Sequence, residues 1–518
     1  MRHLVPLGEL AGAAGAELRG DPLTPVRGVA FDSRAVEPGQ LFACLPGLRA
    51  DGHDFAPEAV RRGAAALLVE RPLPLPLPQL LVRDARRALG RVAAAYWGHP
   101  GRRLRVAAVT GTNGKTTIAH LFAACAREAG QPAALVGTLG AWAGGRRLRG
   151  PGLTTPESAD LQELLAAAEA AGDRWVSLEA SSHGLALGRL EGTPVDIAIL
   201  SQIRRDHFDF HGDFDSYRRA KLRLFTEAGR RDGAPALGAV LNADDPSTPW
   251  IAARVRAPLL LYGFSPRAHL RVEEVRELGW GRTLLRLRWR APGELERHRL
   301  DGSAPGRLEV ELGLPGRFNV TNALAAAGAA LLAGFPAGAV VRALARARPP
   351  EGRVESVEMG QPFRVLVDFA HNPAALEALL ELPPAPGGRR ILVFGAEGGK
   401  DPGKRPLMGR AAAERADYVI LTSDNPHQEE PEAIARQVER GLLEAAAHPP
   451  YEILLDRRKA IRRALELARP GDLVLVAGKG HEREIVGATG AVPFYDVQVV
   501  RELLAERAEA GETLLQPS

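Results

Sequence analysis

The segment 109–117, VTGTNGKTT, carries the strongest chemical signal in the chain. Gly111 and Gly114, with Thr112 and Asn113 between them, let backbone N–H groups wrap an anion. Lys115 can reach terminal phosphates, Thr116 can hold Mg²⁺, and Thr117 continues into a helix whose N-terminus adds positive potential. Val109 stands where the full GxxxxGK[ST] pattern has its first glycine, so the loop is a shorter variant. It lies between a β-rich run at 104–109 and helical spacing at Ile118, Leu121, Phe122 and Cys125. Strand, glycine loop and helix together make a nucleotide phosphate cradle.

A cation bound with that nucleotide needs oxygen ligands, and Glu179 ends the apolar run 175–178, a place from which a carboxylate can face the loop. Ser181, Ser182, His183 and Arg189 follow it. Next comes IRRDHFDFHGDFDSYRRAKLRLF, dense in His and Asp, with Lys221 isolated among arginines. Lysine is rare here, with six among 67 Lys and Arg residues. A lysine kept in such a chain marks a position needing a compact, titratable amine rather than a planar guanidinium.

These residues need several elements to position them, and 518 residues is length for several cores. A composition of 45% hydrophobic and 25% charged residues excludes global disorder. No run reaches the roughly 20 apolar residues that span a bilayer, and residues 1–17 lack a signal-peptide pattern, so a cytoplasmic protein without membrane insertion is expected. Cys44 and Cys125 are too few for a disulfide framework and read as reduced thiols. A net charge of +5 with no basic tail does not imply nucleic acid. The prolines at 72, 74, 76 and 78 exclude a central strand there. A boundary falls at His99, Pro100 and Gly101, and a second linker at 345–350. Between them, strands at 175–178 and 195–200 alternate with helices, while Leu285, Leu287 and Trp289 alternate with Arg286, Arg288 and Arg290 as in a half-exposed antiparallel strand. Beyond 350, strands at 365–367, 391–394, 418–421 and 473–476 alternate with helices. The fold class is therefore α/β.

Read together, GTNGKTT, TTP at 154–156, EASSHGL, RDHFDFHG, FNVTNALAA, DFAHNPAALE, GKRPLMG, DNP and AGKGHE resemble the Mur ligases. Among these the chain is most similar to the MurE type, the UDP-N-acetylmuramoyl-dipeptide:amino-acid ligases of peptidoglycan synthesis. The likeness runs from the DSR and DGH segments near Asp32 and Asp51 to the end. It implies three domains: a small mixed α/β UDP-sugar-binding domain at 1–99, a central ATP-binding domain at 100–347, and a Rossmann-like amino-acid-binding domain at 348–518. The central domain would have a P-loop ATPase-like parallel sheet with extra antiparallel strands.

The resemblance also implies site residues. ATP falls to Gly111, Thr112, Asn113, Gly114, Lys115, Thr116 and Thr117, with Asn319 and Asn322 on the adenine side and Arg353 and Asp368 closing from the C-terminal domain. The catalytic set is Lys115, Glu179, His207 and Lys221. Two Mg²⁺ ions would be held by Thr116, Glu179, His207 and a CO₂-derived carbamate on Lys221. Ser33, Arg34 and His53 are assigned to the uracil and diphosphate, and Thr154, Thr155, Ser182 and Arg189 to the muramoyl dipeptide. Leu187 stands where many relatives place Gln.

The amino-acid site falls to Asp424, Asn425, His427, Gly478 and Glu482. Relatives that take meso-diaminopimelate carry DNPR, whose Arg can clamp a distal carboxylate, whereas this chain has His427. L-lysine or L-ornithine is therefore expected in preference to meso-diaminopimelate. The expected reaction makes an acyl phosphate on the D-glutamyl carboxylate of UDP-N-acetylmuramoyl-L-alanyl-D-glutamate, which the diamino acid's amine attacks, on a monomeric enzyme. The rivals are a folylpolyglutamate or cyanophycin synthetase type of ligase and a P-loop ATP-binding switch that makes no amide.

Overall fold

The computed structural model describes residues 4–47, 50–227, 237–290 and 306–509. Near the N-terminus, a five-stranded sheet runs in the order Glu17–Arg19, Gln79–Leu81, Ala66–Val69, Leu41–Ala43, Val29–Ala30, parallel except at its first pair. The proline-rich stretch before Gln79 is irregular, since no N–H is available at every second residue.

Among the described residues the central sheet has eleven strands. β1 (Arg105–Thr110) lies at its heart, and α1 (Lys115–Glu128) leaves from the loop that follows. β2 (Trp175–Glu179) and β3 (Ile197–Leu200) flank β1 in parallel. β2 and β3 are buried along their whole length, which explains why they read as apolar runs rather than alternations. α2 (Phe214–Thr226) carries Lys221, and α3 (Arg317–Leu332) is buried almost all round. Its small residues permit close packing: a Cβ on Gly328 would sit 3.0 Å from Leu260.

One sheet edge is antiparallel, formed by Leu270–Gly279, Arg282–Trp289 and Gly306–Leu312. Leu285, Leu287 and Trp289 face the core, while Arg286 pairs with Glu274 (2.6 Å) and Glu309 (3.1 Å) on the solvated face. Cys44 and Cys125 are free and buried, and burial pushes both thiols up to about 12.

The third sheet has six strands and includes β4 (Arg364–Asp368), β5 (Tyr418–Leu421) and β6 (Leu473–Ala477). β6 lies beside β4, and α4 (Pro373–Leu380) follows β4. Among the described residues, no helix is long and apolar enough to cross a membrane. Segments leaving the carboxyl ends of β1, β2, β3, β4 and β6 line one cavity of about 850 Å³, where open α/β sheets generally place ligands.

Candidate active site

Two glycines shape the loop after β1. Gly111 has φ +147 and Gly114 φ +88, in the left-handed region. A Cβ on Gly114 would lie 2.3 Å from Asn322 Oδ1, so the loop is seated directly on α3. Lys115 Nζ donates to the carbonyls of Gly111 (3.0 Å) and Thr112 (2.9 Å), curling back over the loop. Lys221, itself buried, donates to the same Gly111 carbonyl (2.8 Å) from α2 and lies 4.4 Å over the Tyr217 ring. Burial lowers both amines; Glu179 and Asp206 counter this at Lys115, whereas the neighbouring Lys115 cation drives Lys221 further down.

Glu179, at the end of β2, is wholly buried. Its carboxylate accepts from the Thr116 hydroxyl (2.9 Å), the Thr138 N–H (3.0 Å) and the Thr138 hydroxyl (3.0 Å). Thr138 escaped sequence reasoning because it lies on a separate loop after Ala133–Gly137, with no signal beyond a Gly-Thr pair at a strand end.

His207 has φ +55, a costly conformation for a non-glycine residue. Its ring meets His183 edge-on at 4.9 Å. Burial holds His207 well below the usual imidazole range against the pull of Asp206, leaving it neutral as a metal ligand must be. Among the described residues no group of three or more His, Cys, Asp or Glu is arranged to enclose a metal. Thr116, Glu179 and His207 instead fit a Mg²⁺ that arrives with a triphosphate and keeps phosphate and water oxygens as ligands.

The C-terminal domain closes the cavity. Arg353 donates to the Thr116 hydroxyl (3.4 Å), and Asp368, at the end of β4, accepts from the Val354 N–H (2.7 Å). Burial raises the Asp368 carboxyl to about 6 despite the Arg353 cation. Asp206, His371, Lys404 and His481 also line the cavity. All four fall inside the motifs RDHFDFHG, DFAHNPAALE, GKRPLMG and AGKGHE, where neighbouring residues give the stronger signal and these carry no assigned role.

Thr112, Asn113, Gly114, Lys115, Thr116, Thr117, Thr154, Glu179, Ser182, Arg189, His207, Lys221, Asn319, Asn322, Arg353, Asp368 and Glu482 are brought together around this cavity. Thr155 lies just beneath, its hydroxyl donating to the Glu179 carbonyl (2.8 Å). Asp424, Asn425 and His427 follow β5, and Gly478 follows β6. Buried Lys479 joins this group by donating to Asn425 Oδ1 (2.9 Å) and Glu482 (2.8 Å). His427 Nε2 lies 3.1 Å from Glu397.

Ser33, Arg34 and His53 do not line the cavity. Ser33 donates to Glu58 (2.8 Å), Arg34 pairs with Asp32 (2.8 Å), and His53 uses both ring nitrogens within the first domain, toward Asp51 (2.6 Å) and the Glu70 N–H (3.0 Å).

Residues 25–97 match the Mur ligase family catalytic domain, 109–330 the Mur ligase middle domain, and 352–480 the Mur ligase glutamate ligase domain. A UDP-N-acetylmuramoyl-L-alanyl-D-glutamate–2,6-diaminopimelate ligase of Geobacillus thermodenitrificans is 40% identical over 479 residues, covering 92% of this chain and 94% of that protein. A UDP-N-acetylmuramyl-tripeptide synthetase of Roseiflexus sp. is 41% identical over 508 residues, covering 95% and 97%. The chain belongs to the Mur ligase family, MurE type. It is therefore an ATP-dependent ligase that joins an acid to an amino acid through a carbon–nitrogen bond.

Solved structures extend the likeness to the whole ligase. A structure of a UDP-N-acetylmuramoyl-L-alanyl-D-glutamate–2,6-diaminopimelate ligase has a TM-score of 0.65 and 32% identity, covering 98% of this ligase and 100% of that chain. The Thermotoga maritima MurF ligase in complex with ADP, at TM-score 0.62 and 20% identity, shares the fold. The expected preference for L-lysine or L-ornithine finds no support among these relatives, several of which are named for 2,6-diaminopimelate.

Proposed function

We propose that this ligase adds the third amino acid to UDP-N-acetylmuramoyl-L-alanyl-D-glutamate. The single observation that carries the proposal is the convergence of the phosphate loop, Glu179, His207 and Lys221 with Thr154, Ser182 and Arg189 on one cavity. A triphosphate gripped by the first group faces an acidic peptide tail held by the second. The γ-phosphoryl group passes to the D-glutamyl γ-carboxylate; the amine then attacks the acyl carbon, and inorganic phosphate leaves as the amide forms. Mg²⁺ bound with ATP neutralises phosphate charge. Lys115 orients the terminal phosphates, while Glu179 holds Thr116 toward them.

Lys221 is proposed to act as its carbamate. Burial lowers its pKa and so favours the neutral amine, the form that adds CO₂ and releases a proton, and the anion formed would help hold a second Mg²⁺. Ser33, Arg34 and His53 are proposed to form the uridine end, supported by the match of residues 25–97 to a Mur ligase domain. The three family segments also support units at 1–99, 100–347 and 348–518. A monomer is proposed.

The amine is a diamino acid. The relatives' names point to meso-diaminopimelate, for whose distal carboxylate Lys400 offers a cation on the cavity wall. A second reading, L-lysine or L-ornithine, is supported by His427 standing in place of an arginine and lying against the Glu397 carboxylate (3.1 Å), so that this segment offers no guanidinium fork. Incubation with Mg-ATP, the UDP-muramoyl dipeptide and each amine in turn tests both readings. The first predicts the highest kcat/KM with meso-diaminopimelate and the second with lysine or ornithine; ATP consumption without tripeptide from any amine rejects the function.

A further inference from the structure

We infer that Asn372 is a positioning residue that clasps the phosphate loop and thereby couples closure of the C-terminal domain to the state of that loop. Asn372 is the N-cap of α4, and its Oδ1 accepts from the Ala375 N–H (3.0 Å). A cap needs nothing more of the side chain. Yet this amide makes three further contacts, all across the domain boundary. Its Nδ2 donates to Asn113 Oδ1 (3.0 Å) and Asp206 Oδ2 (3.1 Å), and its Oδ1 accepts from Asn113 Nδ2 (3.2 Å).

The side chain is completely buried with every amide valence used, an arrangement that specifies one position of α4 against the loop. Both partners are placed to report on the site. Asn113 lies between the glycines of the cradle, and Asp206 immediately precedes His207, whose N–H donates to it (3.0 Å). Around the clasp, Arg205 pairs with Asp401 (3.2 Å) and His371 lies 3.8 Å from Asp206. A shift of the loop or of residue 206 therefore breaks a reciprocal amide pair and exposes buried polar groups, so α4 docks only when both are in place.

The test uses the full chain carrying Leu148→Cys and Leu443→Cys, exposed sites on the central and C-terminal domains, for a dye pair. The native thiols are buried and unreactive. Asn372→Asp keeps the cap acceptor but loses both donors and opposes Asp206 with a second carboxylate; Asn372→Ser keeps a capping oxygen and adds no charge. With Mg²⁺ and a non-hydrolysable ATP analogue, the parent should show a nucleotide-dependent change in energy transfer. Both variants should bind the analogue and lose that change, and kcat should fall by about a hundredfold with KM for ATP little altered. If one variant fails to fold, the other decides. A folded variant that closes like the parent and keeps its kcat overturns the inference. The closure readout needs only nucleotide, so it stands or falls independently of the peptide and amine proposed above.

Discussion

At the residue scale, Lys221 was conspicuous in the sequence as one of few lysines among many arginines, and the fold gives the physical reason an arginine would not serve. The amine is buried against the Gly111 carbonyl and the Tyr217 ring, and burial together with Lys115 drives its pKa down. In the folded state the neutral amine persists well below the ordinary lysine range, while in the unfolded chain it is protonated. Folding stability contributed by this group therefore falls as pH drops below about 10.4, and modification to a carbamate removes the penalty of a buried cation. Lys221→Ala should lower kcat by about 10²–10³-fold, with partial recovery in millimolar formate or acetate, and Lys221→Arg should show no recovery. Steady-state rates with and without the added acid check this; unimpaired turnover in the alanine variant rejects the role. Other residues were not legible. The internal contacts of His53, with Asp51 and the Glu70 N–H, were not visible in the DGH segment. Thr138 gave no sign, because its value arises only when two loops distant in sequence meet over Glu179.

At the element scale, the cradle was legible because a strand, glycine loop and helix are contiguous, and each carries its own local signal. β2 to β6 were legible for a related reason: strands buried on both faces must be apolar runs. What the chain did not announce is how those elements face one another. Asn372 stands in the sequence only as part of DFAHNPAALE; its role as the cap of α4 and its contacts with Asn113, 259 residues away, belong to the fold. Gly114 shows the same dependence. The glycine is visible in the GTNGKTT pattern, but its φ of +88 and the Asn322 amide from α3 that a Cβ would strike are not. Gly114→Ala should therefore raise the Kd for Mg-ATP by at least about tenfold, from the roughly 1–2 kcal/mol of left-handed strain plus displacement of Asn322. The melting temperature should change only slightly, because the loop is local. Calorimetric titration with Mg-ATP alongside a thermal scan checks both, and unchanged affinity contradicts the seating of the loop on α3.

At the scale of the whole molecule, two sheets present the carboxyl ends of their strands to one cavity. The central domain holds the phosphate loop and Glu179, and the C-terminal domain supplies Arg353, Asp368 and Glu482. Neither half alone contains a triphosphate grip, an acid and an amine site, so ligation depends on their closure. The central claim is that the gripped phosphate is transferred to a peptide carboxylate before the amide forms. The most direct measurement uses UDP-N-acetylmuramoyl-L-alanyl-D-glutamate with both oxygens of the glutamyl γ-carboxylate replaced by oxygen-18, turned over with Mg-ATP and a diamino acid. Mass analysis should find one oxygen-18 atom in each inorganic phosphate released and the other in the new amide. Phosphate free of label, released while tripeptide accumulates or while ATP is merely hydrolysed, would contradict the account.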